Sequence, residues 1–161
     1  MTAERASFGF SLFCDDIRHE MGGKYSLMGL YQRDMFFPSS TVFPTIVPKF
    51  VIFVKYYEQV GAFSDDLVLK ISLPGDDQDN TSVTQVIPRQ EMTDENKPVI
   101  DNDDDSGLLY SLSLPIILSP FTIKCAGYVS VRIYCGSEKV RLGRLMLRIV
   151  GEDEKIIAPG F

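Results

Sequence analysis

Seven consecutive residues, Cys14-Asp15-Asp16-Ile17-Arg18-His19-Glu20, hold the densest set of groups that could do chemistry in this chain. Asp15, Asp16 and Glu20 are donors for a hard cation such as Mg2+ or Ca2+, and His19, the sole histidine, would draw a transition metal. Consecutive residues of an extended segment point to opposite faces, so Asp15 and Asp16 cannot simply share one site there. The plainer expectation is that one of them caps a turn and pairs with Arg18 or Lys24 as the chain reverses through Gly22-Gly23. A metal- or small-ligand-binding domain centred on segment 15–20 is the alternative reading.

The rest of the chain argues against catalysis. The run Asp101-Asn102-Asp103-Asp104-Asp105-Ser106-Gly107 fails the EF-hand pattern. That pattern wants Gly sixth and Glu twelfth, where this chain has Ser106 and Leu112. It reads as a solvated acidic loop. One histidine and no G-x-S-x-G leave no Ser-His-Asp arrangement unless His19 itself supplies it. Neither GxxxxGK[ST] nor GxGxxG is present to cradle a phosphate. Cys14, Cys125 and Cys135 each fall in phase with the apolar positions of their strands, which describes packed thiols and not exposed thiolates. The three cysteines, Cys14, Cys125 and Cys135, form neither a disulfide framework nor a zinc pattern, so a reduced, cytoplasmic protein without a cofactor is expected.

These groups must be carried by strands. Phe8, Phe10 and Leu12 alternate with Gly9 and Ser11; Leu67, Leu69 and Ile71 alternate with Val68 and Lys70. A period of two places one set on one sheet face. The same rhythm predicts strands over 7–14, 25–31, 49–57, 67–73, 82–87, 108–117, 121–125, 128–135 and 143–150, with a bulge near Gly143 where the parity shifts. No window carries the spacing of a long amphipathic helix. The expected fold is therefore all-β: one antiparallel β-sandwich over 1–161, of immunoglobulin-like or C2-like shape, with eight or nine strands. A closed barrel is the structural alternative. The in-phase residues Phe8, Phe10, Leu12, Leu69, Ile71, Leu112, Val131, Ile133, Leu145 and Leu147 are the expected core, and 49–57, apolar at nearly every position, should be central.

Two connections are long. One, 34–48, is rich in prolines and aromatics, and its Met35, Phe36, Phe37 and Phe43 are expected either to cap an end of the sandwich or to face a partner. The apolar tail 156–161 poses the same choice. The other connection, 88–107, is acidic and lacks an apolar period, so it reads as a mobile loop with a helical turn near Gln90–Asn96.

Net charge is −6, from 16 Lys and Arg against 22 Asp and Glu. An acidic surface repels phosphate backbones, so neither nucleic acid nor an anionic membrane is an expected partner. Arg132, Lys139, Arg141, Arg144 and Arg148 are the only candidates for a local basic patch and read as a solvated strand face. No run approaches the roughly 20 apolar residues that span a bilayer, and no secretory leader is recognisable.

The opening Phe13-Cys14-Asp15-Asp16-Ile17-Arg18-His19-Glu20, with Gly23-Lys24, Ser26-Leu27-Met28-Gly29-Leu30-Tyr31 and Pro48-Lys49-Phe50, resembles a family of small uncharacterised bacterial proteins. That family shares an FCDDIR-x-E-x-GGK-x-SLxGxY opening. The resemblance covers the N-terminal third and implies a small all-β bacterial or phage-borne protein; it supplies no catalytic residues. The functional expectation is a non-enzymatic binding or protein-interaction module, acting on a protein partner or by self-association. A structural subunit of a larger, phage-like assembly is a further alternative.

Overall fold

The computed structural model describes residues 6–77, 80–93, 99–101 and 107–151. The chain runs through β1 (Ser7–Cys14), a hairpin of β2 (Asp16–Glu20) and β3 (Lys24–Met28), then β4 (Asp34–Phe37) and β5 (Thr45–Val47). β6 (Phe50–Gln59), β7 (Leu67–Ser72) and β8 (Val83–Ile87) precede the short helix α1 (Arg89–Thr93). β9 (Val99–Asp101), β10 (Leu108–Leu118), β11 (Phe121–Ile123), β12 (Gly127–Cys135) and β13 (Glu138–Ile149) complete the described chain. The fold is an all-β sandwich. A four-stranded sheet, β1-β6-β10-β9, faces a five-stranded sheet, β4-β13-β12-β7-β8; β5-β11 and β2-β3 form two small ribbons. Every pairing is antiparallel except β4 with β13.

One core fills the space between the sheets. Ile52, Val54, Tyr56 and Leu112 from the first sheet meet Leu69, Ile71, Val131, Ile133, Leu145 and Leu147 from the second. Phe50 stacks on Phe121 at 4.9 Å and closes one end; Met92 of α1 is buried in the same core. β6 is covered on both sides, because Val51 and Phe53 on its other face lie under the β2-β3 hairpin with Cys14 and Ile17.

β1 has the opposite phase from the one its apolar alternation suggests. Phe8 and Phe10 are each 43 % exposed, while Ser7 and Phe13 are buried, and Leu12 packs under the hairpin. The inward positions are small because β1 runs close to β13. A Cβ at Gly9 would lie 2.7 Å from Leu142 Cδ2 and 2.4 Å from the Lys55 carbonyl, and one at Gly143 would lie 2.5 Å from Ser11 Oγ. The parity shift in β13 is a real bulge: Val131 pairs with Gly143 and Arg132 with Arg141, leaving Leu142 as the extra residue, buried against the core.

Four strands fall outside the nine read from alternation. β4 and β5 occupy the proline-rich connection, as an edge strand and a three-residue ribbon, where proline is tolerated. β2 is too polar to signal itself, and β9 is only three residues long. The 88–107 connection is not structureless throughout: it holds α1 and β9, while 94–98 and 102–106, like the tail 156–161, lie outside the described residues. No helix among the described residues is long and apolar enough to cross a membrane.

Asp76 pins the β7–β8 turn. Its carboxylate accepts from Leu73 N–H at 2.8 Å, Ser82 N–H at 2.8 Å and the Ser82 hydroxyl at 2.5 Å. Desolvation opposes its ionisation, but these donors outweigh it and hold the acid below its ordinary value.

Two outcomes follow from this packing. Gly9→Ala should cost about 1–3 kcal/mol in denaturant unfolding, since the added methyl meets backbone on one side and Leu142 on the other. For Asp76, a depressed folded pKa means the unfolded chain binds more protons in acid, so its contribution is present above about pH 4 and lost as pH falls through the folded value. The stability advantage of wild type over Asp76→Asn should therefore shrink between about pH 6 and about pH 3; a constant difference would contradict the assignment.

Candidate functional site

The 15–20 segment does not assemble a site. Asp15 accepts a hydrogen bond from the Tyr31 hydroxyl, and Asp16 takes Lys49 as ion-pair partner and Ile17 N–H at 2.8 Å. Glu20 accepts from Ser26 Oγ at 2.9 Å. His19, exposed, sits edge-on to Tyr25 at 4.8 Å. Each group is thus committed to a different neighbour, and no trio of His, Cys, Asp or Glu that could hold a metal ion occurs among the described residues. The pairing of Asp16 is with Lys49, not with Arg18 or Lys24. Lys49 holds the Asp16 carboxyl below its usual range; burial and then the Asp15 carboxylate push the Tyr31 phenol up, so it stays a donor. Gly29 is needed beside this pair, with φ at +67° and no room for a side chain next to Asp15. The motif residues therefore build the joint that folds the hairpin over β6.

The 34–43 aromatics divide. β4 alternates, so Met35 and Phe37 face inward and are buried, and Phe43 packs edge-on to Phe37 at 5.9 Å. Met35 and Phe37 are thus core residues and the half-buried Phe43 packs against them, the packing alternative of the two expected for this connection. Only Phe36 points outward, beneath the Arg148 guanidinium at 4.8 Å.

A buried polar cluster at the far end of β6 carried no sequence signal. Glu58 is 1 % exposed; it pairs with Arg89 and accepts from the Tyr56 hydroxyl at 3.0 Å. Arg89 also donates to the Asp65 carbonyl at 2.6 and 2.9 Å and lies 3.2 Å from Cys135 Sγ. Burial raises the Cys135 thiol despite the nearby guanidinium, and burial followed by the Asp15 charge raises Cys14. Neither is a thiolate at neutral pH. The role of the cluster is to anchor α1.

The outer face of the five-stranded sheet is different. Val129, Val131 and Ile133 are buried, so Tyr128, Ser130, Arg132 and Tyr134 project outward from β12. In register beside them stand Lys139, Arg141 and Arg144 on β13 and Lys70 on β7, with Arg148 one residue past this pairing and opposite Phe36 of β4. Lys70, Arg132 and Arg141 form one row of cations directly opposite each other across three strands. Aromatic rings back the rest: Arg144 lies 4.5 Å over Tyr128, and Lys70 and Lys139 lie 5.2 and 5.9 Å from the Tyr134 centroid. Arg148 pairs with Asp34 at 3.5 Å. Among the described residues, no carboxylate lies within ion-pair distance of the other five cations. The sequence marked five of these cations as a strand face. Lys70 was separable from them only by distance along the chain, although its place on the polar phase of β7 was readable.

The arrangement gathers positive charge on one sheet face, which suits binding of an anionic group. Phe37→Ser should cost about 3–5 kcal/mol, as for truncating a buried aromatic, and Phe36→Ser much less, when both are measured by urea unfolding. Arg89→Ala, which strands the Glu58 carboxylate, should cost about 3–5 kcal/mol in the same assay. No family model matches this chain, and neither a curated protein nor a solved structure matches it.

Proposed function

We propose that this protein is a non-enzymatic interaction module whose working surface is the outer face of the five-stranded sheet. The observation that carries the reading is the row Lys70, Arg132 and Arg141. Like charges directly opposite in a sheet destabilise it, and this row has no carboxylate beside it among the described residues. A fold that keeps such a row in a chain of net charge −6 gains from it something other than stability. An anionic surface docked there would remove the repulsion. At 15–20 Asp15, Asp16 and Glu20 are each taken by a different neighbour, which supports the sheet face over that segment. Three free thiols support a cytoplasmic setting for this module.

The test exploits the mismatch between total and local charge. At neutral pH and low salt the protein should be retained on a cation exchanger despite its net negative charge. The double variant Arg132→Ser/Arg141→Ser should flow through while keeping or raising its melting temperature. Flow-through of the wild type would remove the proposed surface.

A further inference from the structure

Resting on that reading, we infer that the face is built for an acidic protein segment, its carboxylates received by cations backed by aromatic rings. Arg144 over Tyr128 and Arg148 over Phe36 lie at 4.5 and 4.8 Å. The ring beneath the Arg144 guanidinium limits its rotation and strips water from one side, and leaves its N–H edge able to fork onto a carboxylate; Arg148 already pairs with Asp34. Lys70 and Lys139 flank Tyr134 in the same way as point charges.

Two observations favour a protein over a nucleic acid. Single-stranded nucleic acid is held by bases stacked on open aromatic faces, whereas Tyr128, Tyr134 and Phe36 each already carry a cation. The second is the charge of the rest of the chain. With the six cations and Asp34 set aside, 10 Lys and Arg remain against 21 Asp and Glu, a net of −11. A long phosphate backbone brought to a chain of that balance is repelled. A short acidic segment can place its carboxylates on the face and end there.

The experiment is fluorescence anisotropy of the full chain with a labelled glutamate-rich peptide and with a thymidine oligonucleotide of equal charge, at about 0.15 M ionic strength. The peptide should bind about tenfold more tightly than the oligonucleotide. Arg144→Lys keeps the charge but loses the fork, and Tyr128→Leu frees the guanidinium; each should weaken the peptide about fivefold. Arg18→Lys, on the exposed side of the hairpin, serves as control and should change nothing. Equal or tighter binding of the oligonucleotide would overturn the acidic-segment inference and leave the face as a binding surface. Failure of both probes even at low salt would overturn the face itself. If Arg144→Lys matches Arg18→Lys, recognition by ring-backed guanidinium is wrong.

Discussion

Everything in this molecule is arranged around the need to cover β6 on both faces. Phe50, Ile52, Val54 and Tyr56 are buried toward one side, Val51 and Phe53 toward the other. A two-layer sandwich covers only one face of a strand, so a second cover is required. The β2-β3 hairpin supplies it, and the Asp15–Tyr31 and Asp16–Lys49 pairs hold it down. The groups that looked most like chemistry are thereby spent on architecture. β6 ends in Glu58, whose buried charge fixes Arg89 and so the start of α1.

The second sheet has the opposite economy. Its inner face is as apolar as the first, but no described element covers its outer face, which carries six cations among polar and aromatic residues. The Leu142 bulge contributes here, because it shifts the phase of β13 partway along. Leu142, Leu145 and Leu147 all reach the core, while Arg141 and Arg144 remain exposed on the outside. Without the extra residue, one part of the strand would turn charge inward. A chain acidic in total thus presents a basic surface, and net charge alone could not foretell that.

Alternation was enough to read the sandwich, the central place of β6 and the bulge, because each is written in the parity of neighbouring residues. The phase of β1 was not readable that way. Its inward residues, Ser7, Gly9 and Ser11, are small because β13 passes close by, and that proximity is a tertiary fact invisible in a window of eight residues. Met35 and Phe37 were obscure for a related reason: a four-residue strand that runs straight into Pro38 looks like a loop until its partner is known. The cations of β13 and β12 could be gathered from sequence, yet their alignment with Lys70 depended on the β7–β12 register. The Glu58–Arg89 pair joins residues 31 apart in sequence, with no pattern to announce it.

β4 has a further consequence, for the order of events during synthesis. Among the described residues its only sheet partner is β13, with Met35 opposite Leu147, so more than a hundred residues must leave the ribosome before this strand can dock. The hairpin beside it needs only its own turn and closes early. Between those two moments the nascent chain carries Met35 and Phe37 uncovered, and loop-closure entropy delays their burial. The pairing that makes the smallest addition to the finished sheet therefore sets the longest interval in which the growing chain is open to aggregation.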